Sequence, residues 1–305
     1  MRVTNSTARR NVLFYLEQHN QAVKDYQLRL SSGKRINRPS DDPWGTDKAL
    51  LHRHELARTD QYIKNINDGL SYLGATENAL ESVGNILSEA KAFATQGANS
   101  AINTQDRQAL AIEVDLLLED LLRMADSKSN GKYLFGGVNT DNPAFTAVRD
   151  ANDKITAVNP NPDGIDGSIM REVGSGIRES VNIGGGELFQ PNGSGGADDM
   201  FQSLIDLRDA LQNDDPTAVG AGIEALDDHI DHLNYHRSTL GAKVNYLERQ
   251  LANLEDSQVD ITADLSNIED ADFVETVTRY EEEQAAYQAA LAITAQLLNT
   301  GLQNY

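Results

Sequence analysis

A chain of 305 residues with 26 Lys and Arg against 47 Asp and Glu carries a formal net charge of −21, which would repel nucleic acid and anionic lipid and excludes both as partners. It has no cysteine, which excludes disulfides and thiolate metal sites, and no apolar run near the roughly 20 residues of a membrane helix, which excludes membrane insertion. The length allows two or more domains, but 6% aromatic residues and a mean hydropathy of −0.48 leave a thin core, as in elongated helical packing.

In residues 1–32 the series Val12, Leu16, His19, Val23, Tyr26, Leu30 steps by 4, 3, 4, 3, 4, which predicts one helix with a single apolar seam. Arg9 and Arg10 precede Val12, Leu13 and Phe14, but Glu17 breaks the apolar run too early for a cleaved export signal. Gly33 stops this helix near Ser32, Pro39 cannot continue it, and Asp42 with Pro43 starts the next as N-cap and first helical residue. From Pro43 the seam Ala49, His52, Leu56, Thr59, Ile63, Ile66, Leu70, Leu73 continues less regularly through Leu80 and Leu87. Running to about Thr95, that helix would be roughly 80 Å long, which suits a rod.

The segment GANSAINTQD breaks it, with Asn103 or Thr104 capping a helix whose seam is Leu110, Val114, Leu117, Leu121, Met124. Residues 136–196 hold 12 of the 23 glycines and four of the seven prolines, which excludes long helices; the alternation Ile177, Glu179, Val181, Ile183 predicts a small β-rich insert. Helices resume at about Asp198 and carry the seam Val244, Leu247, Leu251, Leu254, Gln258, Ile261, Leu265, Ile268, which lapses in EDAD at Glu269–Asp272. In residues 273–302 the seam Val277, Tyr280, Gln284, Tyr287, Leu291, Thr294, Leu298 repeats the spacing of the first helix.

A lone helix of this kind has little stability in water, so the two terminal helices are expected to pair. Their charges agree: residues 1–30 carry Arg2, Arg9, Arg10, Lys24 and Arg29 against Glu17 and Asp25, while 269–305 carry seven acids against Arg279. The alternative is that each terminus packs separately on the body. The chain leaves in helices and returns in helices, so the expected class is mainly α, an elongated antiparallel bundle or coiled coil of N- and C-terminal segments with a small β-rich insert in the middle.

Chemistry is sparse. His229, His232 and His236 lie at spacings of 3 and 4 on one helical face, as metal ligands of a metal-dependent enzyme could. The plainer reading is the polar face of a solvated helix, and no metal, cofactor or catalytic residue is assigned. NPNPDG at Asn159–Gly164 imitates a calcium loop but has Met170 where the twelfth-position acid belongs, and reads as a turn. Arg35 and Arg38 could bind an anion; contacts to acidic neighbours or cap carbonyls are the expected role.

Three stretches carry a family resemblance: LSSGKRINRPSDDPWG at Leu30–Gly45, NGKYLFGG at Asn130–Gly137, and SNIEDADFVETVTRYEEEQAAYQAAL at Ser266–Leu291. Together they resemble the bacterial flagellin superfamily, and RPSDDP, KYLFGG and the MRVTN start are similar to its hook–filament junction branch more than to filament flagellin. Trp44, where a small residue is expected, departs from the pattern. The resemblance implies a terminal coiled-coil domain of residues 1–42 and 269–305, disordered in the monomer; a helical rod of 43–135 and 197–268; and an outward-facing insert of 136–196. It implies a secreted, non-enzymatic structural protein of the flagellum, exported by the type III route without a cleaved signal. The implied partners are hook-associated protein 1, flagellin, a ring of its own copies, and an export chaperone on the C-terminal helix. Assembly is expected through Val12, Leu16, Val23, Tyr26 and Leu30 with Val277, Tyr280, Tyr287, Leu291 and Leu298. The signature loop Lys34, Arg35, Arg38, Pro39, Asp41, Asp42, Pro43 is expected to set the angle of the coil.

Overall fold

The computed structural model describes residues 5–196 and 198–302, and the chain is mainly helical. Helix α1 spans Asn5–Ser32, α2 Pro43–Gly97, α3 Thr104–Ala125, α4 Gly185–Phe189, α5 Met200–Gln212, α6 Pro216–Glu269 and α7 Phe273–Leu302. Between α3 and α4 lie six short strands, β1 Lys128–Ser129, β2 Lys132–Tyr133, β3 Phe145–Arg149, β4 Ile155–Pro160, β5 Met170–Gly174 and β6 Ile177–Ser180. The strands pair in sequence order as three separate antiparallel hairpins.

Local chemistry sets the element ends. Gly33 takes φ +71°, and its N–H donates to the Arg29 carbonyl at 2.8 Å, closing α1. Asn103 caps α3, its side chain accepting from the Asp106 amide at 2.8 Å, and Asp215 caps α6 by accepting from the amides of Thr217 and Ala218 at 3.0 and 3.1 Å. The turn of the β1–β2 hairpin is Asn130–Gly131 with φ 51° and 79°, the pair of left-handed residues that a tight hairpin of native twist demands. At Asn159–Gly164 the chain turns, Gly164 N–H donating to the Asn161 carbonyl at 3.0 Å.

Two compact units result, Met1–Asp60 with Asp256–Tyr305, and Gln61–Glu255. In the second, α2 contributes Ile66, Leu73, Leu80 and Leu87 and α6 contributes Val219, Leu226, Leu233, Leu240 and Leu247, each series spaced by seven and fully buried. The two helices run antiparallel there, since Arg237 of α6 meets Glu77 of α2 at 2.6 Å while Lys91 of α2 is bonded to Asp227 of α6. Helix α5 packs on α3, and its buried Arg208 joins Asp115 of α3 at 2.8 Å and the Ile155 carbonyl of β4 at 2.7 Å. Phe135, Phe145, Phe189 and Phe201 meet under the hairpins, with ring centroids 5.1 to 5.5 Å apart.

Phe189 is the ring the other three share. Its replacement, Phe189→Ala, is expected to cost about 3–5 kcal/mol, read as a lowered denaturant midpoint for the Gln61–Glu255 unit. A loss below about 1 kcal/mol would mean that the cluster closes over the gap.

Candidate functional site

The terminal seams and the signature loop lie in the unit of Met1–Asp60 with Asp256–Tyr305. Helix α1 packs against α7. Lys34 and Asp270 form an antiparallel bridge just outside the two helices, and farther along His19 Nδ1 meets Glu283 Oε2 at 2.7 Å, so α1 and α7 run antiparallel. Carrying that register along the pair sets Leu16 across from about Tyr287, Val23 from about Tyr280, and Tyr26 from about Val277. Val12, Leu16, Val23, Tyr26, Leu30, Val277, Tyr280 and Tyr287 are all half-buried.

Leu291 differs from the expectation: it is 43% exposed, and Ala290 beside it takes the half-buried place. After Tyr287 the seam steps by three to Ala290 and then by four to Thr294, the opposite phase from that read in the sequence. The side chain of Leu298, together with those of Arg2 and Arg9, lies outside the described residues. The opposite terminal charges also pair differently than expected. Among the described residues the titratable side chains that meet between the two helices are His19 and Glu283, joined by a hydrogen bond, whereas Arg279 turns to Glu275 and Glu282 on its own helix.

The signature loop is tied to the junction between α6 and α7 through Glu269. Only 3% exposed, this carboxylate accepts from Lys34 Nζ at 2.6 Å and from Arg53 Nη2 of α2 at 2.7 and 2.8 Å. Burial works to raise the Glu269 carboxyl, but the Lys34 and Arg53 hydrogen bonds outweigh it and hold it below its ordinary value. Main-chain bonds add to the tie: the Arg35 amide donates to the Glu269 carbonyl at 2.6 Å, and the Ala271 amide to the Gly33 carbonyl at 3.0 Å. The Arg35 guanidinium donates to the Ile268 carbonyl at 2.8 Å, satisfying an acceptor in the last turn of α6, and to Asp42 at 3.2 Å.

Within the loop Arg38, Pro39, Ser40 and Asp41 make a turn closed by the Asp41 amide on the Arg38 carbonyl at 2.9 Å. The Asp41 carboxylate accepts from the amides of Arg38 and Asn37 at 2.8 and 3.1 Å, and these bonds lower its pKa. Asp42 caps α2 at Pro43 by accepting from the Gly45 amide at 2.9 Å, the main cause of its own lowered pKa. Trp44 takes no part in the packing: it is 72% exposed, with Lys48 Nζ 5.5 Å from its ring centroid.

Sequence reasoning passed over Glu269, Arg53 and Glu283. The available signal was an acid at the point where the α6 seam lapses, facing a basic loop some 235 residues earlier in the chain. The three histidines of α6 depart from the solvated face expected of them. His229 and His236 are buried and His232 is half-buried; among the described residues no group of three His, Cys, Asp or Glu side chains gathers as a metal site. No described helix is long and apolar enough to cross a membrane.

Residues 3–140 match the family model of the bacterial flagellin N-terminal helical region, and residues 223–305 that of the bacterial flagellin C-terminal helical region. The chain is 28% identical to a flagellin of Bacillus subtilis, over 97% of this chain and 96% of that protein. It is 24% identical to flagellar hook-associated protein 3 of Escherichia coli, over 87% of each. Among solved structures, a putative flagellar hook-associated protein from Vibrio parahaemolyticus superposes with a TM-score of 0.66 at 20% identity, covering 75% of this chain and all of that one.

Glu269→Gln keeps the shape of the junction and removes its charge. It is expected to cost about 1–3 kcal/mol, less than a fully buried pair because Lys34 and Arg53 are half in solvent. Since the folded-state pKa is depressed, the charged form's contribution is present above the unfolded value of about 4.3 and is lost as pH falls below it. Amide exchange in α1 and α7 should therefore differ between wild type and variant at neutral pH and converge in acid; equal protection at neutral pH would remove Glu269 from the account.

Proposed function

Because the chain belongs to the bacterial flagellin family, we propose that it is a non-catalytic structural subunit of the flagellum that joins hook to filament and assembles through its terminal helices. The observation that carries this reading is the state of α1 and α7: among their described residues no apolar side chain is fully buried. Two helices of 28 and 30 residues with only half-buried seams are marginal in one chain and gain most from further burial against other chains. The outward residues are suited to that role, since Leu13, Phe14 and Tyr15 of α1 and Ile293 and Leu291 of α7 are exposed. Arg10 and Lys24 on α1 and Glu281 on α7 are exposed too, and none of the three has an ionic partner among the described residues. A second copy supplies both the apolar cover and the opposite charge.

In this reading residues 1–42 with 269–305 form the terminal coil, 43–135 with 197–268 the rod, and 136–196 the outward insert. The signature loop Lys34 to Asp42, tied to Glu269, is the segment expected to set the angle of the coil. Subunits form a ring between hook-associated protein 1 and flagellin, and before export a chaperone holds the C-terminal helix. A chain without cysteine and with marginal terminal helices suits export in an unfolded state to the cell exterior. The junction place rests on RPSDDP, KYLFGG and the fold likeness to the hook-associated structure. A second reading, the filament subunit itself, is favoured by the 28% identity to the Bacillus subtilis flagellin.

Electron microscopy of the purified chain, concentrated in moderate salt, separates the two. The expected result is no long filament from the protein alone and binding to hook ends that already carry their first junction protein; long filaments from the protein alone would make it the filament subunit. Deleting residues 1–30 is expected to abolish that binding while the Gln61–Glu255 unit keeps its cooperative unfolding. Normal binding by the truncated chain would end the terminal-helix mechanism.

A further inference from the structure

His229 and His236 occupy core positions of α6, each between two members of the seven-spaced leucine series at Leu226, Leu233 and Leu240. His229, 4% exposed, places Nε2 2.8 Å from Ser203 Oγ of α5. His232 Nε2 lies 3.0 Å from the Glu187 carbonyl of α4, so it donates and that nitrogen carries the proton. His236, 5% exposed, has no hydrogen-bond partner among the described residues; its ring stands edge-on to His232, centroids 4.6 Å apart, and touches Tyr235 at 5.5 Å. It lines a cleft of about 480 Å³ with Asp166, Glu187, Ser180 and Lys243, which gives protons a route to a ring otherwise enclosed.

We propose that His229, His232 and His236 form an acid-opened latch that holds α4 and α5, and with them the β hairpins, against α6. His232 is fixed by its Nε2 bond to the Glu187 carbonyl and holds its ring edge-on against His236. A proton on His236 finds no acceptor at hydrogen-bond distance, and one on His229 requires a charge in a sealed site whose one partner is a hydroxyl. Burial, and after it the neighbouring His232, depresses the pKa of both rings below 6.5.

The charged groups facing the cluster only partly offset this. Asp198 ahead of α5 and Asp228 of α6 act on His229, and Glu187 of α4 acts on His236. Asp166 and Lys243 face the same cleft with opposite signs. On the α2 side Glu77 and Lys91 are already paired, with Arg237 and Asp227. A depressed histidine pKa means the unfolded chain binds more protons, so the latch is fully closed above about pH 6.5 and weakens as pH falls below it.

Hydrogen exchange of the full chain at about pH 7.5 and 5.5, corrected for intrinsic rates, tests this on α4 and α5. Wild-type protection there is expected to fall roughly tenfold on acidification, and that of the variant His229→Gln, His232→Gln, His236→Gln less than about threefold. Equal loss in both, or no loss in wild type, overturns the latch. If the triple variant does not fold, NMR titration of the wild-type imidazoles decides: His229 and His236 are expected to titrate below 6.5, and titration of both at or above it overturns the proposal.

Discussion

A carboxylate with almost no access to water sits where α6 gives way to α7, and the terminal unit is built on what that carboxylate needs. Burying Glu269 costs several kcal/mol unless cations and hydrogen bonds replace its water. The cations come from two other elements, Lys34 of the signature loop and Arg53 of α2. One side chain thus fixes where α1 leaves, where α2 passes and where α7 begins. Antiparallel pairing of α1 and α7 follows from that common origin, and His19 with Glu283 holds the register farther out. Because Lys34 and Arg53 are surface residues at their far ends, the tie is firm without the full penalty of a buried triad.

The α2–α6 seam and the α1–α7 pair illustrate opposite uses of the same heptad pattern. In the Gln61–Glu255 unit the seven-spaced residues of α2 and α6 are fully covered, and two histidines are carried into the seam with them. In α1 and α7 the same spacing yields only half-covered side chains, because each seam has a single helix to face. A fully buried leucine is worth about 1.5–3 kcal/mol over an exposed one, so coverage rather than pattern decides which helices stand alone. The terminal pair is patterned for burial and incompletely buried.

Much of the fold was legible in the sequence because its boundaries are set by local chemistry. Gly33, Asp42 with Pro43, and Asn103 each stop or start a helix through a bond to a residue within four positions, and such signals survive without tertiary knowledge. The half of α6 from Val244 onward was legible for the same reason. Upstream, the identical repeat at Val219, Leu226, Leu233 and Leu240 is interleaved with histidines, so a core seam read as a solvated polar face. Leu291 was lost to a one-step phase change that a pattern of threes and fours cannot resolve. Glu269 was out of reach, since its partners are more than 200 residues away and its own neighbours, EDAD, spell surface.

Charge sets the last constraint. Opposite charges on the two terminal segments would be expected to neutralise each other within the chain, yet Arg10 and Lys24 of α1 and Glu281 of α7 stay exposed and unpaired among the described residues. Left outward, they can act between copies. At net −21, however, two copies repel at long range before any such pair can form. Salt screens these terms unequally: at physiological ionic strength the Debye length is about 8 Å, which removes most of the repulsion between distant charges but leaves pairs at contact much less affected. Association of these helices is therefore opposed at very low salt by net charge, and at high salt loses the pairs that orient it, while apolar burial persists throughout. Marginal terminal helices, outward apolar residues and unpaired charges are one arrangement, in which the terminal pair is left incompletely satisfied within a single chain.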